Sequence, residues 1–197
     1  MKLVHSFFED KKTLDIAKEL IGKVLVYESP KGIIKGIINE TESYTEDDES
    51  CHAYNGKKTK KNEVMFKRFG HLYVYFTYGM YHCINIVTAE ENKGEAVLIR
   101  SVIPLDEKSK ELMIKNRFKD SSVSLKPSSS VALCNGPAKL TLAYGFDKSF
   151  NGVDLLDKNS KIYLEDLKIK SKQIQQTTRI GISKAKDLPW RFIGEFD

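Results

Sequence analysis

The chain has 197 residues, of which 41% are hydrophobic and 30% charged, and a formal net charge of +5. That length holds one domain with a substantial core, and the composition excludes an intrinsically disordered chain or a membrane span. The basic balance favours approach to a polyanion without requiring one.

Residues 1–10 turn acidic before a signal-peptide core could form. The three cysteines, Cys51, Cys83 and Cys134, are odd in number and scattered, which argues for a reducing compartment and against a disulfide framework. A cytoplasmic location follows. Residues 13–21 place Leu14, Ala17, Leu20 and Ile21 at helical spacing, with Thr13 as the cap and Gly22 as the stop. Val24-Leu25-Val26-Tyr27 and residues 33–38, joined through Ser29-Pro30-Lys31-Gly32, predict a hairpin whose second strand runs on to Tyr44. An acidic run, Glu46-Asp47-Asp48-Glu49, then precedes a lysine-rich stretch, Lys57-Lys58-Thr59-Lys60-Lys61-Asn62. Residues 72–87 are strongly β-prone and interrupted by Gly79, so two strands around a turn are expected as a projecting hairpin.

Residues 96–103 predict a strand closed by Pro104, and residues 106–119 a helix. The Ser-rich stretch at about 120–130 reads as a mobile loop within the domain. Gly136-Pro137-Ala138-Lys139-Leu140 starts a helix with proline in its first turn. Ile162-Tyr163-Leu164, Arg179-Ile180-Gly181-Ile182 and Arg191-Phe192-Ile193 read as closing strands, and no internal repeat is visible. The expected fold class is α+β: a single mixed domain over residues 1–197, with a curved, mainly antiparallel β-sheet, flanking helices and a protruding β-hairpin.

Glu40, Glu42 and Tyr44 alternate along a predicted strand and so share a face. That face is either a solvent surface decorated with acids or a site where a partly buried carboxylate activates water. The aromatics Tyr73, Tyr75, Phe76, Tyr78 and Tyr81 either pack a core or supply a stacking surface, although a core does not need a tyrosine at a hairpin tip. The lysines at 57–61 are either a solvated loop or a polyanion contact. Cys51-His52 and His82-Cys83 are two pairs of potential zinc ligands, but structural zinc sites separate paired ligands by two or more residues, so no metal is expected.

The ordered blocks Glu40-Thr41-Glu42-Ser43-Tyr44, His52, Met65-Phe66, Gly70-His71-Leu72-Tyr73-Val74-Tyr75-Phe76-Thr77-Tyr78-Gly79-Met80-Tyr81-His82-Cys83-Ile84-Asn85, Ala96-Val97-Leu98-Ile99-Arg100 and Gly136-Pro137-Ala138-Lys139-Leu140 resemble the alkyladenine (3-methyladenine) DNA glycosylase family. They span most of the chain. The resemblance implies a base-excision repair enzyme that flips an alkylated or deaminated purine out of duplex DNA. The lesion class is 3-methyladenine, 7-methylguanine, hypoxanthine and ethenoadenine. Such an enzyme hydrolyses the N-glycosidic bond and leaves an abasic site without a lyase step.

Residue by residue, Glu42 matches the general base, while Tyr44, His52 and Tyr75 match residues that enclose the flipped purine. Asn85 matches the residue that guards the pocket against the exocyclic amine of guanine. Tyr78 matches the wedge inserted into the minor groove, and Arg100 a basic residue at the DNA and active-site side. Lys58, Lys60 and Lys61 are the expected backbone contacts, although Lys60-Lys61-Asn62 stands where family members often carry Pro-Arg-Asn. The expected partner is double-stranded DNA with damaged purines, bound by a monomer without a cofactor or membrane, and nucleoid-associated in a bacterium. A non-catalytic module binding damaged DNA is the competing reading. It would need only the wedge and the basic groove, not Glu42, Tyr44, His52 and Asn85 together.

Overall fold

The computed structural model describes residues 1–77, 79–118 and 133–196. Tyr78 and the Ser-rich stretch at about 120–130 lie outside the described residues. Eight strands and three helices are described: α1 (Thr13–Glu19), β1 (Val24–Ser29), β2 (Gly32–Tyr44), β3 (Leu72–Thr77), β4 (Tyr81–Val87), β5 (Ala96–Pro104), α2 (Glu107–Arg117), α3 (Pro137–Tyr144), β6 (Ile162–Glu165), β7 (Gln173–Thr177) and β8 (Arg191–Glu195). The strands form one antiparallel sheet in the order β3-β4-β5-β2-β1-β6, with β8 joined to β2 and β7 joined to β8. The sheet curls into a half-barrel, which makes the expected α+β class an observation. Among the described residues, no helix is long and apolar enough to cross a membrane.

The two faces of the sheet carry different cores. Leu72 and Val74 of β3, Ile84 and Ile86 of β4, and Val97 and Ile99 of β5 pack with Ile16, Ala17, Leu20, Leu140 and Ala143 of the helices. Side chains one residue out of step, Tyr73, Val87 and Ala96, face the other way and pack on Cys51, Ala53, Val64, Met65 and Phe66. Alternation along each strand thus divides a helix-packed face from a face left for a site.

Strand β2 carries the irregularity that matters most. Ile34 and Ile38 belong to the helix-side core, so strict alternation would send Glu40 and Glu42 there too. Against β5, however, Ile38 pairs with Val102 while Glu40 pairs with Ser101, which leaves Asn39 as an extra residue on β2. Thr41 then pairs with Ile99, which leaves Arg100 as an extra residue on β5. The two bulges restore the ladder after re-aiming the side chains between them. Beyond them it is Thr41 that faces α1, donating its hydroxyl to the Ala17 carbonyl at 2.7 Å. Glu40, Glu42 and Tyr44 face the opposite side.

Local signals account for most of the remaining elements. The Asp106 carboxylate accepts from the Ser109 amide at 2.7 Å and starts α2. Pro137 opens α3, and Gly145 ends it at φ +76°, a backbone conformation that favours glycine. Two expectations are corrected. Thr13 does not cap α1 from outside: it is the first helical residue, and its hydroxyl donates to Glu95 and lies 2.9 Å from the Thr88 hydroxyl. Arg179-Ile180-Gly181-Ile182 is not a strand but an irregular connection between β7 and β8, because the Ile180 amide donates to the Glu42 carboxylate instead of a neighbouring strand.

Candidate active site

On the sheet face away from the helices, β2 to β5, residues 49–52 and the connection 180–184 enclose a cavity of about 510 Å³. Glu42 forms its floor, with no exposed surface. Its Oε2 accepts from the Tyr44 hydroxyl at 2.8 Å, and its Oε1 accepts from the Ile180 amide at 2.9 Å. Arg100 Nη1 stands 3.3 Å from Oε1. Three donors thus fix the direction in which the carboxylate presents its remaining lone pairs to the cavity.

Arg100 is itself held from behind. Its Nε donates to Glu40 Oε1 at 2.8 Å, and that oxygen also accepts from Arg191 Nε at 2.6 Å. Burial opposes the charge on Arg100, but the carboxylates of Glu42 and Glu40 raise its pKa above the ordinary arginine value. With a side chain only 12% exposed, Arg100 belongs to the cavity and not to the lysine-bearing surface. Tyr44 stays a neutral phenol, its pKa raised by burial and then by the adjacent Glu42 carboxylate.

The walls are aromatic. Tyr73 and Tyr75, two residues apart on β3, tilt against each other with ring centroids 5.6 Å apart. His52 meets Tyr75 edge-on at 4.6 Å, and its Nδ1 lies 2.9 Å from the Tyr73 hydroxyl. Desolvation against these rings lowers the His52 pKa, and burial raises those of Tyr73 and Tyr75, so each member stays uncharged near neutrality. Asn85, opposite Tyr73 in the β3–β4 register, is buried and donates its Nδ2 to the Tyr73 carbonyl at 3.1 Å. Cys51 and Cys83 also line the cavity, and both thiols are buried.

The lysine-rich stretch is organised from within by Asn62. Its Nδ2 donates to the carbonyls of His52 and Lys57 at 2.7 and 2.8 Å, and its Oδ1 accepts from the Thr59 amide at 2.7 Å. Lys57, Lys58, Lys60 and Lys61 around it are exposed. Lys61 also lines a second cavity, of about 730 Å³, which shares His52, Tyr73, Tyr75 and Thr77 with the first. Among the described residues, no group of three or more His, Cys, Asp or Glu side chains could hold a metal ion.

The structure therefore brings Glu42, Tyr44, His52, Tyr75, Asn85 and Arg100 together around one cavity and sets Lys58, Lys60 and Lys61 outside it. Sequence reasoning missed Ile180, Arg191, Asp48 and Arg179. Asp48 sits in an acidic run to which the sequence assigns no role, yet it is buried against Arg179, while Asp47 and Glu49 are exposed. An arginine between threonine and isoleucine, Thr178-Arg179-Ile180, was the available signal of a buried partner.

The sequence matches the methylpurine-DNA glycosylase family over residues 6–195. Proteins named "Putative 3-methyladenine DNA glycosylase" are similar to it in several bacteria. The one from Francisella tularensis subsp. tularensis (strain WY96-3418) is 47% identical over 184 residues, which cover 92% of this chain and 89% of that protein. The one from Desulfitobacterium hafniense (strain Y51) is 43% identical over 196 residues, covering 98% and 95%. A match that extends over nearly the whole sequence and includes every residue enclosing the cavity floor shows that the chain belongs to the methylpurine-DNA glycosylase family.

Proposed function

We propose that the protein flips alkylated or deaminated purines out of duplex DNA and hydrolyses their bond to deoxyribose with a water activated by Glu42. Family membership makes the chain a DNA N-glycosylase, a hydrolase of the bond between base and sugar. The observation that carries the finer reading is Glu42 itself, an acid wholly buried at the floor of an aromatic cavity and oriented by Tyr44, Ile180 and Arg100.

Cleavage of a glycosidic bond passes through an oxocarbenium-like state, in which positive charge develops on the sugar. Glu42 takes a proton from water while the hydroxide forms the new bond at the anomeric carbon, and the base departs with the electron pair of the broken bond. The carboxylate also stabilises the growing charge. A purine alkylated on a ring nitrogen is cationic and leaves as a neutral base. The uncharged rings of Tyr44, His52 and Tyr75 suit such a cation, because an aromatic face attracts positive charge and a neutral imidazole does not repel it. The cavity volume of about 510 Å³ lies within the roughly 300–1,000 Å³ usual for small-molecule sites.

In this reading Asn85 disfavours undamaged guanine through its exocyclic amine, a penalty that the cationic, weakly bonded 7-methylguanine overcomes. Tyr78, between β3 and β4 in the sequence, fills the gap left by the flipped base, and Lys58, Lys60 and Lys61 meet phosphates. The reaction stops at the abasic site. Lys184, a lysine at the cavity, is turned towards Glu49 at 3.6 Å with most of its side chain in solvent, which favours hydrolysis over a Schiff base. One chain supplies all these groups, so a monomer suffices, and hydrolysis calls for no cofactor.

The test is base release from duplexes carrying 3-methyladenine, 7-methylguanine, hypoxanthine or ethenoadenine, with strand integrity read on the same products. Release of free base with intact strands is expected. Tight binding of damaged duplex with no release would leave a non-catalytic binding module, and strand cleavage would remove the hydrolytic mechanism.

A further inference from the structure

Among the described residues, Arg179 and Asp48 form an ion pair with no side-chain exposure on either partner. Removing two charges from water costs about as much as their attraction returns, so a buried pair is weak evidence for stability and its role lies in what it orients.

The contacts of Arg179 lie behind the active site, between β2 and the connection that follows β7. Its Nη1 donates to Asp48 Oδ2 and to the Ser43 carbonyl at 2.9 Å, and its Nη2 donates to Asp48 Oδ1 at 2.9 Å and to the Ala185 carbonyl at 3.3 Å. The guanidinium carbon lies 4.7 Å over the ring of Tyr44 and 5.2 Å over that of Trp190. Ser43 stands between Glu42 and Tyr44 on β2. Ile180, the next residue after Arg179, donates its amide to Glu42. The segment holding that amide contains no helix or strand, and it is anchored by the Ser43 amide donating to the Trp190 carbonyl at 2.9 Å and by the side chains of Ser50 and Arg179, which donate to the carbonyls of Lys184 and Ala185.

We propose that the Asp48–Arg179 pair is a positioning device for the reaction, acting through Ile180 and Tyr44 to hold the Glu42 carboxylate and the purine-binding wall in one geometry. Arg179 ties strand β2 to the 178–190 connection at the point where that connection supplies a donor to Glu42, and Asp48 fixes the rotation of the guanidinium fork by taking one bond from each of its ends. The inference rests on the reading of Glu42 as the water-activating group.

Two variants test it. The double replacement Asp48→Leu with Arg179→Met removes both charges and leaves neither stranded in the interior. Arg179→Lys keeps the charge beside Asp48 but loses the fork and the flat face that covers Tyr44. Four quantities are measured: single-turnover base release, affinity for a duplex holding an abasic-site analogue, melting temperature, and the exchange rate of the Ile180 amide by NMR. Misplacing a reacting group by about 1 Å costs on the order of 100-fold in rate, and a loss of about that size is expected in both variants. Melting temperature and affinity for the abasic duplex should stay near those of the parent, while the Ile180 amide exchanges faster.

Release at the parental rate with a protected Ile180 amide overturns the proposal. A rate loss matched by an equal loss of affinity, or by a collapse of melting temperature in both variants, makes the pair structural and overturns it as well. If the parent protein releases no base, the functional reading falls by itself. The amide then decides the positioning role alone: faster exchange supports it, and unchanged protection removes it.

Discussion

At the scale of single residues, two glutamates on one strand face have been given different tasks by their neighbours. Glu42 touches the cavity and is surrounded by donors, whereas Glu40 joins Arg100 to Arg191 and has no edge on the cavity. Glu42→Gln is therefore expected to abolish base release while sparing affinity for damaged duplex. Glu40→Gln should only slow release, because Arg100 keeps its contact with Glu42 when one flank is weakened. Single-turnover release and duplex binding on the two variants check this, and an active Glu42→Gln beside a dead Glu40→Gln would reverse the assignment. Alternation in the sequence shows that both acids share a face. It does not separate them, because the separation depends on Arg100, Arg191 and Ile180, which arrive from elements 60 to 151 residues distant in the case of the arginines and 138 in that of the amide.

At the scale of elements, the extra residue Asn39 decides which side of β2 the acids occupy. With Asn39 present but the bulge absent, strict alternation from Ile34 and Ile38 would carry Glu40 and Glu42 towards α1. Deleting Asn39 removes the bulge together with its extra residue, so Thr41 then follows Ile38 by two places and the acids keep the cavity side. Both Asn39→Ala and the deletion of Asn39 should therefore retain base release in a single-turnover assay, and loss of release in the deletion variant would show that the local bend of the bulge, and not only its residue count, sets the site. The register of the hairpin, with Thr77 opposite Tyr81, makes a further prediction about the residue at its turn. Extruding a nucleotide costs a few kcal/mol, part of which an inserted ring offsets. Tyr78→Ala should accordingly lose activity on a matched duplex and recover part of it opposite a mismatch that already weakens pairing, while Glu42→Gln gains nothing there. Equal losses for Tyr78→Ala on matched and mismatched duplexes would remove the wedge. The hairpin was legible because Gly79 breaks a long β-prone run, α2 because residues 106–119 have helical composition, and α3 because Pro137 is a local start signal. The bulge was not, since Asn39 is an ordinary residue whose extra place exists only relative to β5. Nor was the 179–182 connection, whose apolar sequence reads as a strand while its amide is spent on a side chain.

For the whole molecule, the charges proposed to meet a duplex and the charges proposed to take part in the chemistry are separated. Lys57, Lys58, Lys60 and Lys61 are exposed beside the cavity, while Arg100 is enclosed with two carboxylates. Each phosphate that a protein neutralises contributes about 0.9 to the slope of log affinity against log salt. Replacing Lys60 and Lys61 with glutamine should flatten that slope by about one unit for each phosphate no longer neutralised, while Arg100→Gln should reduce release and leave the slope as it was. An unchanged slope in the lysine variants would place them in bulk solvent. The three buried cysteines have a consequence of a different kind. A thiol attacks electrophiles as its thiolate, and burial raises the pKa of Cys51 and Cys134 to about 12 and that of Cys83 above its ordinary value. The folded protein should take up methyl groups from methyl iodide at its cysteines far more slowly than the denatured chain does, as counted by mass spectrometry, and rapid labelling of Cys51 or Cys83 in the native state would contradict this. An enzyme that is needed most when methylating agents are abundant would thereby keep its own sulfur out of their reach.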